Sequence, residues 1–153
     1  MQNKIEHEKF TIRAATPDDL DSLIHIENEV FMDSWSRDSL TSLFDGERNV
    51  VLVAVQNNAV VGYITGWHVH EEAEIARLAV LHEARKQGIA SALITAIVKE
   101  FENLKVEKLS LEVRVSNKAG FAVYHKFGFS VQGRRPRYYE DGEDALVMVK
   151  GEI

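Results

Sequence analysis

The chain has 153 residues, 45% hydrophobic and 27% charged, which fits one globular domain spanning residues 1–153 with a real core rather than a disordered or fibrous chain. It has no cysteine, which excludes disulfides, thiol nucleophiles and thiolate metal sites, and no apolar run near the ~20 residues that cross a bilayer. The formal net charge of -6 opposes a nucleic-acid binder and suits a cationic partner, and the N-terminus lacks the apolar centre of a signal peptide, so a cytoplasmic protein is expected.

Residues 10–14 alternate as a first strand. Thr16, Pro17 and Asp19 then read as a helix start, with Thr16 as N-cap, Pro17 at the first helical position and Asp19 reaching back. Leu20, Leu23, Ile24 and Ile26 form the apolar face of that helix. Residues 31–35 are a loop, after which Ser36 caps a short helix over 37–44 that carries Leu40, Leu43 and Phe44 inward. Residues 50–55, the pair Asn57-Asn58 and residues 59–64 spell strand, tight turn, strand.

A Glu-rich break separates this hairpin from a strand over 75–81. Gly88 opens a helix whose inner face is Ile89, Leu93, Ala96, Ile97 and Phe101. A strand over 108–115, a helix over 117–127 and a closing hairpin of 129–135 with 145–149 complete the chain. This order predicts an α+β fold whose sheet is mostly antiparallel, with a strand-helix-strand crossover in the middle. Ligands in such sheets sit where neighbouring strands separate.

The turn between the 75–81 strand and the following helix is the segment best suited to an anion. Unpaired amides and the positive end of the helix dipole favour negative charge there. Gly88 and the small Ala90 admit a pyrophosphate close to the backbone, Arg85 and Lys86 add charge, and Ser91 adds a hydroxyl. A basic surface turn that merely caps a helix is the competing reading. The spacing fits neither a dinucleotide glycine motif nor a nucleoside-triphosphatase loop. What remains is Arg85-Lys86-Gln87-Gly88-Ile89-Ala90: Arg or Gln, two residues, Gly, one residue, then Gly or Ala.

Three further segments give that motif a context: residues 75–80 before it, Leu111-Glu112-Val113-Arg114-Val115-Ser116-Asn117 after it, and Tyr124-His125-Lys126-Phe127-Gly128-Phe129 beyond. With them the chain resembles the GNAT acetyltransferases, and within these the bacterial RimI type, the ribosomal-protein alanine N-acetyltransferases. The tail Arg134-Arg135-Pro136-Arg137-Tyr138-Tyr139 with Glu143-Asp144-Ala145 extends the resemblance to the last strand. It implies a GNAT fold, a single mixed sheet of about seven strands flanked by about four helices. It also implies acetyl-CoA as co-substrate, with backbone groups of Leu78, Ala79 and Val80 at its acetyl and pantetheine end. Residues Lys86 to Ser91 would hold the pyrophosphate, Glu112 would be the general base, Asn117 a cofactor contact and Tyr124 the proton donor. Leu81, His82 and Ala84 depart from the family's common His, Pro and Tyr, and Ala90 stands for the more usual Gly.

The chemistry requires such groups. An α-amine with a pKa near ~8 must lose a proton before it attacks a thioester, and the leaving thiolate must gain one. Glu112 and Tyr124 are the candidates. Their competing readings are an exposed strand carboxylate and a core aromatic shared with Phe121 and Phe127. A main-chain N–H in the 78–80 strand is placed to stabilise the oxyanion. Trp35, Ser36, Tyr138 and Tyr139 are candidate walls of a peptide groove, although such residues also serve as plain packing. His68 and His70 lie two apart on one strand face with no third ligand at suitable spacing, so no metal is expected.

The function expected from the resemblance is acetylation of a protein N-terminal α-amine, the alanine of a small-subunit ribosomal protein, by a monomer or homodimer. Acetylation of a small amine or of a lysine side chain, and a non-catalytic acetyl-CoA sensor, are the alternatives; the intact Glu112 and Tyr124 count against the sensor. The acidic balance counts against an aminoacyl-tRNA acceptor.

Overall fold

The computed structural model describes residues 5–6 and 9–151. In chain order the elements are β1 (Ile5–Glu6), β2 (Thr11–Ala14), α1 (Leu20–Val30), α2 (Arg37–Ser42), β3 (Asn49–Gln56), β4 (Ala59–Val69) and β5 (Glu72–Val80). They continue with α3 (Ile89–Asn103), β6 (Lys108–Arg114), α4 (Lys118–Lys126), β7 (Ser130–Arg135) and β8 (Ala145–Gly151). The strands form one sheet in the order β1-β2-β3-β4-β5-β6-β8-β7. Among the described residues only β5 and β6 pair in parallel, and α3 makes the crossover between them. The expected α+β fold is therefore present, with the two-residue β1 added to the expected seven strands.

Local chemistry sets the element ends. Pro17–Asp19 is a 3₁₀ turn rather than the first turn of α1, because the Asp19 N–H closes onto the Thr16 carbonyl at 2.8 Å. The Asp19 carboxylate returns to the Thr16 N–H at 2.8 Å and takes two hydrogen bonds from Arg13, at 2.8 and 2.9 Å, which hold it below the usual carboxylate range. The second helix stops at Ser42, short of the expected Phe44. Its last groups tighten into i→i+3 bonds, such as Phe44 N–H to Thr41 at 3.1 Å, before Gly46 at φ 74. Asn57 and Asn58 both have positive φ, 54 and 64, which gives the β3–β4 turn the twist a two-residue hairpin needs.

The second hairpin is longer than the sequence suggests. The strand expected over 59–64 runs on to Val69, and the Glu-rich stretch expected as a break is the first half of β5. Ala73 and Ile75 are buried while Glu72, Glu74 and Ala76 are exposed or half-exposed, an alternation that makes a strand despite its charge. His70 therefore sits in the turn at φ 55, off the strand face assigned to it with His68, whose ring packs edge-on against Phe101. Among the described residues, no cluster of three or more His, Asp or Glu could hold a metal ion.

Helices cover both faces of the sheet. The Tyr63 hydroxyl meets Glu27 of α1, whereas neighbouring Gly62 and Gly66 turn toward α3. A Cβ on Gly66 would come within 2.5 Å of the Glu74 carbonyl and 3.0 Å of the Phe101 ring, so only glycine allows α3 this close. Leu93, Ile94, Ile97 and Phe101 are fully buried there, and each such side chain contributes roughly 1.5–3 kcal/mol. Among the described residues, no helix is long and apolar enough to cross a membrane.

Candidate active site

The site begins with a strand that changes partner. β5 pairs with β6 only over Glu72–Ile75 against Lys108–Leu111. On its other side, β5 matches Ile75 to Gly66 and Arg77 to Thr65, so Ala76 is an extra residue, a bulge. From that bulge onward β5 stays with β4 and β6 stays with β8, and the sheet forks. The Leu81 N–H donates to the Val61 carbonyl at 2.8 Å. Alternation along the strand then turns the peptide groups of Ala79 toward β4 and those of Leu78 and Val80 toward the fork. Arg85 agrees, since its Nε reaches the Val80 carbonyl at 3.0 Å from the open side.

Beyond the fork, the turn into α3 has left-handed residues at Lys86 (φ 65) and Gly88 (φ 86), followed by the first-turn amides of Ile89, Ala90 and Ser91. This is a concavity of backbone N–H groups, a geometry that favours an anion, with the exposed Lys86 beside it. Ile89 turns its side chain into the core, so only its amide is available. Gln87 has a supporting part. Its side-chain carbonyl accepts from Gln56 at 2.8 Å and its amide donates to Ala84 at 3.2 Å, pinning the turn to β3.

A groove of about 760 Å³ fills the fork, and the expected residues from four segments stand along it: Trp35 and Ser36, Leu78, Glu112 with Asn117 and Tyr124, and Tyr138 with Tyr139. Each has a local partner. The Ser36 hydroxyl caps α2 by accepting the Ser39 N–H at 3.1 Å, and Asn117 caps α4 by accepting the Gly120 N–H at 2.9 Å. Tyr124 packs edge-on to Phe129, and burial pushes its hydroxyl well above the ordinary tyrosine range, so it remains a proton donor. Glu112 Oε2 accepts from Arg135 Nε at 2.9 Å. The rings of Tyr138 and Tyr139 are perpendicular at 5.1 Å, and burial pushes the Tyr139 hydroxyl up to about 12.

Several residues that line the groove or support it from the core escaped the sequence reading. Glu27, fully buried on α1, accepts from Arg77 at 2.7 and 3.0 Å, from the Trp35 N–H at 2.8 Å and from the Tyr63 hydroxyl. Arg77 is held between Phe31, 3.6 Å from its ring centroid, and Trp35 at 4.7 Å. Asp33 receives Arg114 at 3.3 Å, and Arg114 also binds Asp141 and Glu143 and lies 4.0 Å over Tyr139. The α1–α2 loop is thereby tied across the groove to β6 and the closing hairpin. Glu74, beside Glu112, is pushed up to about 7, first by burial and then by the Glu112 charge and hydrogen bond. Arg114 lies inside the motif that carried the resemblance; Glu27, Asp33 and Glu74 had no local signal.

Residues 20–129 match the acetyltransferase (GNAT) family. The [ribosomal protein bS18]-alanine N-acetyltransferase of Escherichia coli (strain K12) is 34% identical over 141 residues, 90% of this chain and 95% of that protein. A crystal structure of the ribosomal-protein-S18-alanine N-acetyltransferase from Escherichia coli superposes with a TM-score of 0.87 at 33% identity, covering 94% of each chain. The N-alpha-acetyltransferase of Saccharolobus solfataricus is 32% identical over 92% of each chain. Arabidopsis thaliana NAA60, solved in complex with acetyl-CoA, shares the fold at a TM-score of 0.84 and 21% identity, over 93% of this chain and 98% of that one. With these matches over a forked sheet, the chain belongs to the acetyltransferase (GNAT) family and is an N-acetyltransferase of the RimI type.

Proposed function

We propose that the protein transfers the acetyl group of acetyl-CoA to the α-amine of a protein N-terminus, with the N-terminal alanine of ribosomal protein bS18 as its acceptor. The observation that carries this reading is the fork at Ala76: Glu112 and Tyr124 line one groove whose walls diverge toward the phosphate turn. The named activities of the Escherichia coli and Saccharolobus solfataricus relatives support an α-amine acceptor.

The turn residues fit a pyrophosphate: Gly88 has open space around it and the α3 amides are free of intrahelical partners. In this reading the amides of Gly88 to Ser91, with Lys86, hold the phosphates. The inward peptide groups of Leu78 and Val80 pair with the pantetheine arm and stabilise the oxyanion, a contribution worth ~3 kcal/mol in other enzymes. Arg85 and Gln87 shape the turn rather than touch the ligand. Asn117 closes the side of the arm from the head of α4.

The acceptor enters between the Trp35–Ser36 loop and Tyr138–Tyr139. Glu112 takes a proton from the ammonium, the freed nitrogen lone pair forms the C–N bond at the thioester carbonyl, and the carbonyl π pair moves to oxygen. Collapse breaks the C–S bond, Tyr124 gives its hydroxyl proton to the departing thiolate, and the second proton on the nitrogen returns to the tyrosinate, which leaves a neutral amide and a neutral Tyr124. A conjugate joining CoA to the α-nitrogen of an alanine-initiated peptide tests this meeting of substrates. It should bind at least ~100-fold more tightly than CoA alone by calorimetry. Equal affinity would mean that the peptide portion finds no site.

A further inference from the structure

Glu74 is a groove carboxyl that the transfer reaction, as derived above, leaves without a task. It lies on β5 opposite Ser110 of β6, and Glu112 is two residues further along the same face of β6. Both line the groove, so two like charges face one another in a partly buried place, which favours a proton on one of them. Arg135 decides which one. It bonds Glu112 at 2.9 Å, whereas among the described residues no ion pair reaches Glu74.

The remaining neighbours leave this assignment in place. Trp67 on β4 and Ser110 on β6 flank Glu74 in register and are uncharged. Tyr138, after β7, senses both glutamates and stays neutral, as does Tyr139. Arg77 and Arg114 are committed to Glu27, Asp33, Asp141 and Glu143, and Glu140 stands at the rim. Arg135 is more than half exposed, so its attraction is partly screened.

Resting on the transfer reading, we propose that Glu74 and Glu112 work as one proton-sharing pair, in which Glu112 accepts the proton of the acceptor ammonium and passes it to Glu74. The proton balance is simple. The cycle starts from the pair with both carboxyls ionised, the form that prevails above about pH 7; Glu112 becomes a carboxylic acid as the amine is freed, the proton moves on to Glu74, Glu112 returns to a carboxylate, and Glu74 releases the proton to water before the next turnover. A lone glutamate with a pKa near ~4.3 is several thousandfold too weak to hold a proton taken from an amine near ~8. A partner that titrates about 7 reduces that mismatch to roughly tenfold. Glu74 is thus a proton-relay residue acting through Glu112.

Two measurements on the whole protein test the pair. In the first, kcat/KM for an alanine-initiated peptide is followed from pH 6 to 9 for native protein and Glu74→Gln, whose amide keeps the side chain's size but takes no proton. Deprotonation of the amine affects both profiles and cancels in their ratio. The native-to-variant ratio should stay near one at pH 6 and rise to ~10 or more by pH 8.5; a ratio that is flat across the range would overturn the relay. In the second, the carboxyl carbons of ¹³C-glutamate-labelled native protein are titrated without substrate. A resonance missing from Glu74→Gln should titrate near neutral pH, and titration in the ordinary carboxylate range would rule out the shared proton. If no peptide is a substrate, the acceptor reading fails, and the second titration still decides the pair.

Discussion

Arg77, which lines the groove, and Glu27, fifty positions earlier in sequence, join β5 to α1 through two hydrogen bonds of 2.7 and 3.0 Å. Glu27 is fully buried and Arg77 nearly so, and every Glu27 oxygen has a donor, including the Trp35 N–H. Breaking one half strands a charge. Arg77→Met should cost ~3–5 kcal/mol in urea unfolding. Joining it to Glu27→Leu should recover part of that loss, and full additivity of the two would show that the pair is not a unit.

Glu112→Gln and Tyr124→Phe should each lower kcat by ~10²–10⁴. Affinity for acetyl-CoA and near-ultraviolet circular dichroism should be unchanged. The Phe ring keeps the edge contact with Phe129, and Gln keeps a hydrogen-bond acceptor for Arg135. Stopped-flow release of CoA thiol is the readout, and retained kcat in either variant would remove that residue from its assigned step.

Gly88 has φ 86 with no heavy atom within 4 Å of where a Cβ would stand. Gly88→Val would therefore act through backbone strain of ~1–2 kcal/mol rather than through a clash. Because the strain relaxes by moving the amides proposed to hold the phosphates, CoA affinity should fall more than stability does. Calorimetry of CoA binding beside thermal melts separates the two.

Glu74 ties stability to pH. Its folded pKa, about 7, lies above the ordinary 4.5, so its favourable contribution is present below the unfolded value and lost as pH rises through the folded one. Glu74→Gln should match native stability near pH 4.5 and exceed it above pH 7, by a few degrees at most because the group is only half buried. Tm measured at pH 4.5 and pH 8 checks the sign. A variant less stable than native at pH 8 would contradict it.

Much of the fold was legible because local rules governed it. The Asn57-Asn58 turn, the Ser36 and Asn117 caps, the α3 inner face and the strand, turn and helix around Gly88 each depend on a few adjacent residues. The reading failed where tertiary burial overrode composition. Four residues from Glu71 to Glu74 looked like a loop because three are charged, yet burial of Ala73 and Ile75 makes them turn and strand. The Ala76 bulge that opens the fork is a mismatch between two strands, and a single strand's sequence does not carry it. Glu27 reads as an ordinary polar position on an amphipathic helix; only the approach of Arg77 and Tyr63 makes it the buried keystone of the groove. Trp35, Ser36, Tyr138 and Tyr139, a hundred residues apart, do stand together at one groove.

The measurement closest to the central claim is acetyl transfer by the purified protein to two peptides, one with a free N-terminal alanine and one with that amine blocked but a lysine available. Thiol release and peptide mass are recorded together. The account predicts one added acetyl group, on the free α-amine only. Acetylation of the lysine, or tight acetyl-CoA binding with no transfer to either peptide, would contradict it.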